Sequence, residues 1–334
     1  MTTIKHVNIR DLQNGSFVDG VYSLVNPQTA VTRAGKPYFK AIIRDASGEA
    51  TARKWTFDES ALPEVSATGY ARLSGRVEVY GGQLQIIIDT IEAVEVATEE
   101  LVALLPATSK NIDEMFAAIT ALLHSMSDAG MRALADSYLN DDPMMSAFRH
   151  APAATNIHHA FVGGLLEHTH QLMQLADRMV PLYPQLNRDI VLMGLFLHDL
   201  GKTVELEWEK GFNYTRDGHL IGHLVRGAIW LQLKAAVAAK ASGHKLPPEA
   251  VLVLQHIIVS HHGSLEHGSA KVPSTPEAIF VAMLDNLEAK TTVALHAAAR
   301  ERLHAGNSEF TERVWSLDTR VYRPDPLHGV AAHA

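Results

Sequence analysis

The sequence predicts two structural classes in one chain, an all-β barrel followed by an all-α domain. Three observations carry this. Short apolar runs separated by turn residues fill positions 20 to 96, whereas from Thr98 onward apolar residues recur at three- and four-residue steps. Histidine is crowded into the helical part, with 12 of the 19 copies between His158 and His267. At 334 residues the chain exceeds one average domain, so two are expected.

The strands come first. Tyr38-Phe39-Lys40-Ala41-Ile42-Ile43 runs into the turn cluster Asp45-Ala46-Ser47-Gly48 and on to Glu49–Trp55, a hairpin signature. Tyr70 to Tyr80 meets Gly81-Gly82, which supplies the positive φ angles of a tight turn, and continues into Gln83–Ile88. Five short strands in about eighty residues suit a small closed barrel of the oligonucleotide-binding (OB) type.

The helices follow. Ile112, Met115, Phe116, Ile119, Leu122 and Leu123 form one amphipathic stripe. Further helices are expected at 132–139, 162–179, 189–198, 222–239, 249–262 and 277–299, with loops such as Ser242–Pro248 between them. The expected division is an OB barrel at 1–97, a helical connector at 98–150, an all-α domain at 151–320 and an irregular tail at 321–334. The stripe around Met115 suits packing within the chain or between chains, so a homo-oligomer stays open.

Composition narrows the function. With 47% hydrophobic and 20% charged residues the chain is not disordered. It has no cysteine, which excludes disulfides, thiolate metal sites and a cysteine nucleophile. No apolar run approaches a membrane span, and Met1–His6 lacks the apolar stretch of a signal peptide, so a cytoplasmic protein without a membrane partner is expected. The net charge of −8 makes the chain no polycation, so nucleic-acid binding requires a local patch. Arg33 to Lys54 is such a patch: Arg33, Lys36, Lys40, Arg44, Arg53 and Lys54 against Asp45 and Glu49. Tyr38, Phe39, Trp55 and Tyr80 lie in or near the same strands, and aromatics among cations are how such barrels stack single-strand bases. Tyr38 and Phe39 alternate to opposite faces, so one of them is core. Trp55 also fits the interior.

The chemistry sits in the helices. Steps of three and four from Leu165 place His168 on the buried stripe with Leu172 and Leu175. His198-Asp199 closes the apolar run Ile190–Leu197, where a buried carboxylate is costly unless paired or metal-bound. His223 opens a helix, His261-His262-Gly263 ends another, and Asp285 interrupts Ile279–Leu284. Five histidines and two aspartates are about right for two ions of a borderline transition metal.

The order His168, His198-Asp199, His223, His261-His262, Asp285 resembles the extended ligand set of HD-domain phosphohydrolases. The stretches Asn156–Thr169 and Ser260–Gly263, with a barrel in front, are similar to the YhaM-type 3′→5′ exoribonucleases, an OB-fold followed by an HD domain. The resemblance covers about residues 15 to 315 and suggests nothing for the tail. It implies one metal on His168, His198, Asp199 and Asp285, and a second on His223, His261 and His262, with Asp199 bridging. Manganese is expected first, with Co, Fe, Ni or Zn as alternatives. Lys202, one turn beyond Asp199, suits a phosphate contact or a helix C-terminal charge. His158 and His159 are candidates for phosphate contact or leaving-group protonation.

Three functions compete. The resemblance implies an exonuclease that releases nucleoside 5′-monophosphates from single-stranded RNA, with single-stranded DNA as a second substrate. A phosphohydrolase of small or cyclic nucleotides is the alternative, although no Gly-Tyr-Pro follows His261-His262 and a barrel would have little to do. A nucleic-acid-binding regulator with a non-catalytic HD site is the third. It is disfavoured because every ligand type is present.

Overall fold

The computed structural model describes residues 6–327 except 33, 81–82, 97–100, 102–103, 156–158, 209–211 and 300–308. The chain divides into two compact units, Met1–Ala107 with Glu207–Asn213, and Thr108–Leu206 with Tyr214–Ala334.

The first unit is a closed five-stranded barrel. Its strands are β1 (Phe17–Val31), β2 (Pro37–Asp45), β3 (Gly48–Lys54), β4 (Tyr70–Tyr80) and β5 (Gln83–Ala93), hydrogen-bonded in the order β1-β2-β3-β5-β4 with β4 returning to β1. Only β3 and β5 are parallel, pairing Thr51 with Gln85 and Arg53 with Ile87. This is OB topology. The turn between β2 and β3 is built by one carboxylate: Asp45 Oδ1 accepts from Ser47 N at 2.7 Å and Gly48 N at 2.9 Å, and Asp45 pairs across to Gly48. The strands bend at register shifts, one between Val25 and Gln28 and one at Ser74/Gly75. Gly75 is required there, because a Cβ would lie 2.3 Å from Ile87 O. The core holds Val18, Tyr22, Phe39, Ile43, Leu73, Val77 and Ile86. The turn expected at Gly81-Gly82 lies outside the described residues, but Tyr80 pairs with Gln83 across it.

The second unit is helical. A five-residue helix of the barrel unit, Leu62–Ser66, is α1; then come α2 (Ile112–His124), α3 (Ala129–Leu139), α4 (Asp142–His150), α5 (Gly164–Met179), α6 (Arg188–Leu197), α7 (Lys202–Glu205), α8 (Arg216–Leu220), α9 (Gly222–Ser242), α10 (Pro248–Ser260) and α11 (Pro276–Ala299). Short polar side chains start several of them. Asp128 accepts from Met131 N, Asp141 from Met144 N and Asn187 from Ile190 N. Helix α6 is the centre of the layer and is buried on all sides. Residues α2 to α4, which the sequence presents as a connector, belong to this core. Tyr138 and Phe148 both set ring edges against Phe196 of α6, at 6.0 and 5.8 Å. Their apolar stripes need a surface to bury against, and α6 supplies it.

One expectation is corrected. The tail expected to be irregular from 321 onward begins within a strand: β7 (Thr319–Tyr322) pairs antiparallel with β6 (Phe310–Val314). Cross-strand pairs sustain the ribbon, Val314 opposite Thr319 and Phe310 opposite Tyr322 with their rings 5.2 Å apart.

Candidate metal centre and nucleic-acid face

Five helices, α5, α6, α9, α10 and α11, converge on one point, and two glycines let backbone approach closely there. Gly164, the first residue of α5, packs its Cα where a Cβ would lie 2.1 Å from His159 O. Gly201 does the same before α7, where a Cβ would lie 2.4 Å from His223 O. Glycine at 201 therefore lets α9 deliver His223 to the residues that end α6.

All seven residues expected as metal ligands are brought together. Asp199 lies at the centre, buried, with its two oxygens facing different ways. Oδ2 is 3.4 Å from His198 Nε2 and 3.8 Å from His168 Nε2, and that ring is 3.2 Å from Asp285 Oδ1. Oδ1 is 3.4 Å from His223 Nε2 and 3.3 Å from His261 Nε2, while His223 Nε2 is 3.3 Å from His262 Nε2. Two groups result, each with ligand atoms within 4.8 Å of one another: His168, His198 and Asp285, and Asp199, His223, His261 and His262.

Four of these rings are held from behind. His198 Nδ1 donates to Leu195 O at 2.7 Å and His261 Nδ1 to Ile258 O at 2.8 Å. His168 Nδ1 donates to Glu288 Oε2 at 2.7 Å. His223 Nδ1 lies 2.8 Å from Glu205 Oε2, out of line with its N–H, and Glu205 Oε1 accepts from His223 N at 3.1 Å. With Nδ1 engaged behind, each ring turns its Nε2 toward the centre, where that nitrogen would meet an ion.

The electrostatics call for a cation at this point. Burial opposes ionisation of Asp199, yet Lys202 and His198 hold it well below the usual carboxylate range. Asp285 is likewise lowered against burial, by its bond to His168. Burial disfavours a charged His168, but Asp285 and Glu288 push it up to about 10. Burial lowers His261, and burial with His261 alongside brings His262 down to about 3, so both are neutral lone-pair donors. Among the described residues, Asp199 Oδ1 and His261 Nε2, which face each other at 3.3 Å, are buried polar atoms without a hydrogen-bond partner. Atoms of this kind are seldom left unpaired. A divalent ion between the two groups satisfies them, and an imidazole and carboxylate donor set suits a borderline transition metal.

The remaining predicted residues separate. Lys202 Nζ sits 2.7 Å from Asp199 Oδ2; burial opposes its charge, but Asp199 outweighs that and raises its pKa. His159 is buried behind His168, not in front of it, with Nε2 2.8 Å from Glu288 Oε1. That position does not suit a contact with phosphate or leaving group, contrary to the expectation. His158 lies outside the described residues. Glu288 and Glu205 are the residues that sequence reasoning missed.

On the barrel, Phe39 is core, fully buried and 5.1 Å from Phe57. Trp55 is not core: it is 44% exposed and stacks at 5.2 Å on Tyr38. Arg53 lies 5.7 Å from the ring centres of both Trp55 and Tyr80, and Lys40 pairs with it across β2 and β3. Tyr38, Lys40, Arg53 and Trp55 thus share one outer face. Lys36 is exposed near the start of β2, and Arg33 lies outside the described residues.

Residues 165–290 match the HD domain. The match begins on α5 and ends on α11, so it takes in every residue of the converging set. HD domains are typically those of metal-dependent phosphohydrolases, and this one follows an OB barrel in the chain. Solved structures similar to the barrel include the second OB-fold domain of replication protein A from Methanococcus maripaludis, 16% identical, covering 28% of this chain and 98% of that one, TM-score 0.21. Others are the SSB domain of a Synechococcus protein, 14% identical, covering 25% and 97%, TM-score 0.21, and the OB domain of a Thermoplasma acidophilum protein, 19% identical, covering 27% and 88%, TM-score 0.21. No helix among the described residues is long and apolar enough to cross a membrane.

Proposed function

We propose that the chain is a divalent-metal-dependent 3′→5′ exonuclease that shortens single-stranded RNA and releases nucleoside 5′-monophosphates. The observation that carries the reading is Asp199, buried between two groups of lone-pair donors with one oxygen toward each. His168, His198 and Asp285 would hold one ion and His223, His261 and His262 the other, with Asp199 shared. Two ions so held supply an activated water and charge stabilisation for both the entering and the leaving oxygen.

The chain's own residues do the rest. Lys202 keeps its charge beside Asp199, where it would offer a point charge to a substrate phosphate. Water adds to the terminal phosphorus, the 3′ oxygen of the preceding nucleotide leaves with a proton, and a monophosphate departs. The barrel supports a single-stranded substrate: Tyr38, Trp55 and Tyr80 offer ring faces, and Lys40 and Arg53 track phosphate between them. The direction of attack and the preference for RNA rest on the resemblance to the YhaM-type enzymes. Residence in the cytoplasm belongs to the same proposal.

The test is a time course with 5′-labelled single-stranded RNA and Mn²⁺, beside an Asp199→Ala variant and a matched DNA. A ladder shortening from the 3′ end is expected, slowed by at least about a thousandfold in the variant. Intact RNA with turnover of a small or cyclic nucleotide would move the substrate class. Intact RNA and no bound metal would end the hydrolase reading.

A further inference from the structure

Glu288 and Glu205 lie outside the metal-facing set, yet each touches a different half of it. Glu288 is buried on α11, one turn beyond Asp285, and divides its carboxylate between two imidazoles: Oε2 to His168 Nδ1 at 2.7 Å and Oε1 to His159 Nε2 at 2.8 Å. Thr292 Oγ1 donates to Oε1 at 2.8 Å, and the Gln171 amide, with its nitrogen turned inward, donates to the same oxygen at 2.6 Å. Glu205, buried at the end of α7, accepts from the His223 backbone N–H at 3.1 Å and places its other oxygen 2.8 Å from His223 Nδ1. Burial opposes the charge of both glutamates, and their histidine partners keep both below the usual carboxylate range.

His159, His168 and Glu288 also have the spacing of a third ion site. The ring of His168 argues against that use. A neutral imidazole has one N–H and one lone pair. An ion bound at Nε2, the nitrogen that faces Asp285 and His198, would take the lone pair there, so Nδ1 keeps its proton and Glu288 accepts it.

We propose that Glu288 and Glu205 are positioning residues, one for each half of the metal centre. Glu288 fixes the tautomer and ring plane of His168, and Glu205 those of His223. A carboxylate behind a ligating histidine also raises the basicity of the nitrogen that faces the ion. His159 belongs to this supporting layer: it is seated in left-handed backbone at φ 53° and braces Glu288 from the far side. Their assignment to two halves rests on the two-ion reading above.

The test uses the full-length chain, stripped of metal and titrated with Co²⁺, whose visible absorption reports each ion bound. Wild type is expected to take up two. Glu288→Gln should weaken one step by about 10- to 100-fold and leave the other within about threefold. Glu205→Gln should weaken the other step instead. The shorter Glu288→Asp, which keeps the charge, should recover part of the lost affinity. Melting of the metal-free variants by circular dichroism separates this from simple unfolding. The proposal is overturned if both glutamine variants bind two ions as wild type does, if both lose the same step, or if the loss of affinity follows only the loss of metal-free stability. Wild type that binds no cobalt would instead remove the two-ion reading.

Discussion

His168 is pressed between two carboxylates, and its protonation follows from them. In the metal-free chain, burial disfavours its charge but Asp285 and Glu288 push it up to about 10 from 6.5. The stability this gives is fully present below about 6.5 and is lost as pH rises through about 10. An ion on Nε2 must displace that proton, so binding at pH 7 to 8 is expected to release about one proton from this residue and to strengthen by up to about tenfold per pH unit. Calorimetry of Mn²⁺ binding in buffers of differing ionisation enthalpy measures it; no net release would remove His168 from the ligand set. The convergence of these histidines and aspartates was legible because such residues inside apolar helices are conspicuous. Glu288 and Glu205 were not. Helical glutamates usually face water, and only the distances to Nδ1 of His168 and His223 show that these do not. His159 misled for the same reason, since a polar residue before a helix says nothing about which side of a ligand it will occupy.

The β2–β3 turn concentrates a comparable amount of chemistry in one side chain. Asp45 is buried and accepts from His6, Ile9 N, Ser47 N, Ser47 Oγ and Gly48 N. Burial alone would raise its pKa, but these bonds outweigh that and lower it. Its contribution is therefore present above 3.8 and is lost as pH falls through the lower value in the folded barrel. Asp45→Asn should cost about 2–3 kcal/mol at neutral pH and flatten the acid limb of the stability curve. Urea unfolding at pH 7 and at pH 3 decides it, and an equal loss at both would show that charge has no part. As a turn, this position was readable from Asp-Ala-Ser-Gly; as the anchor for residues 6 to 9 it was not, because that contact spans 36 residues. Strands and long helices were legible from their periods. The ribbon of β6 and β7 was missed because two strands of four or five residues carry too little alternation to be recognised.

For the molecule as a whole, the division of labour between barrel and helices predicts that binding and chemistry respond to different substitutions. In an Asp199→Ala background, Trp55→Ala should weaken binding of a fluorescent single-stranded RNA by about 1–3 kcal/mol, the value of one stacked base. Arg53→Ala should weaken it too and reduce its salt dependence. Unchanged anisotropy titrations for both would remove this face from the substrate path. Exposure of Trp55 could not be decided in the sequence, where a tryptophan after a strand fits a core equally well. Its place beyond Lys54, past the last pair of the ladder with Phe39, is what frees it.

The donors around Asp199 come from positions as far apart as 168 and 285, on separate helices. An unfolded chain cannot hold them within reach of one another, so an ion held by this set would favour the folded domain. It would act as a clasp across more than a hundred residues. At a free concentration one hundred times the dissociation constant, a single bound ion adds about 2.7 kcal/mol to folding. On the two-ion reading, divalent supply would therefore set how long the helical domain survives heat and proteases, apart from any effect on turnover.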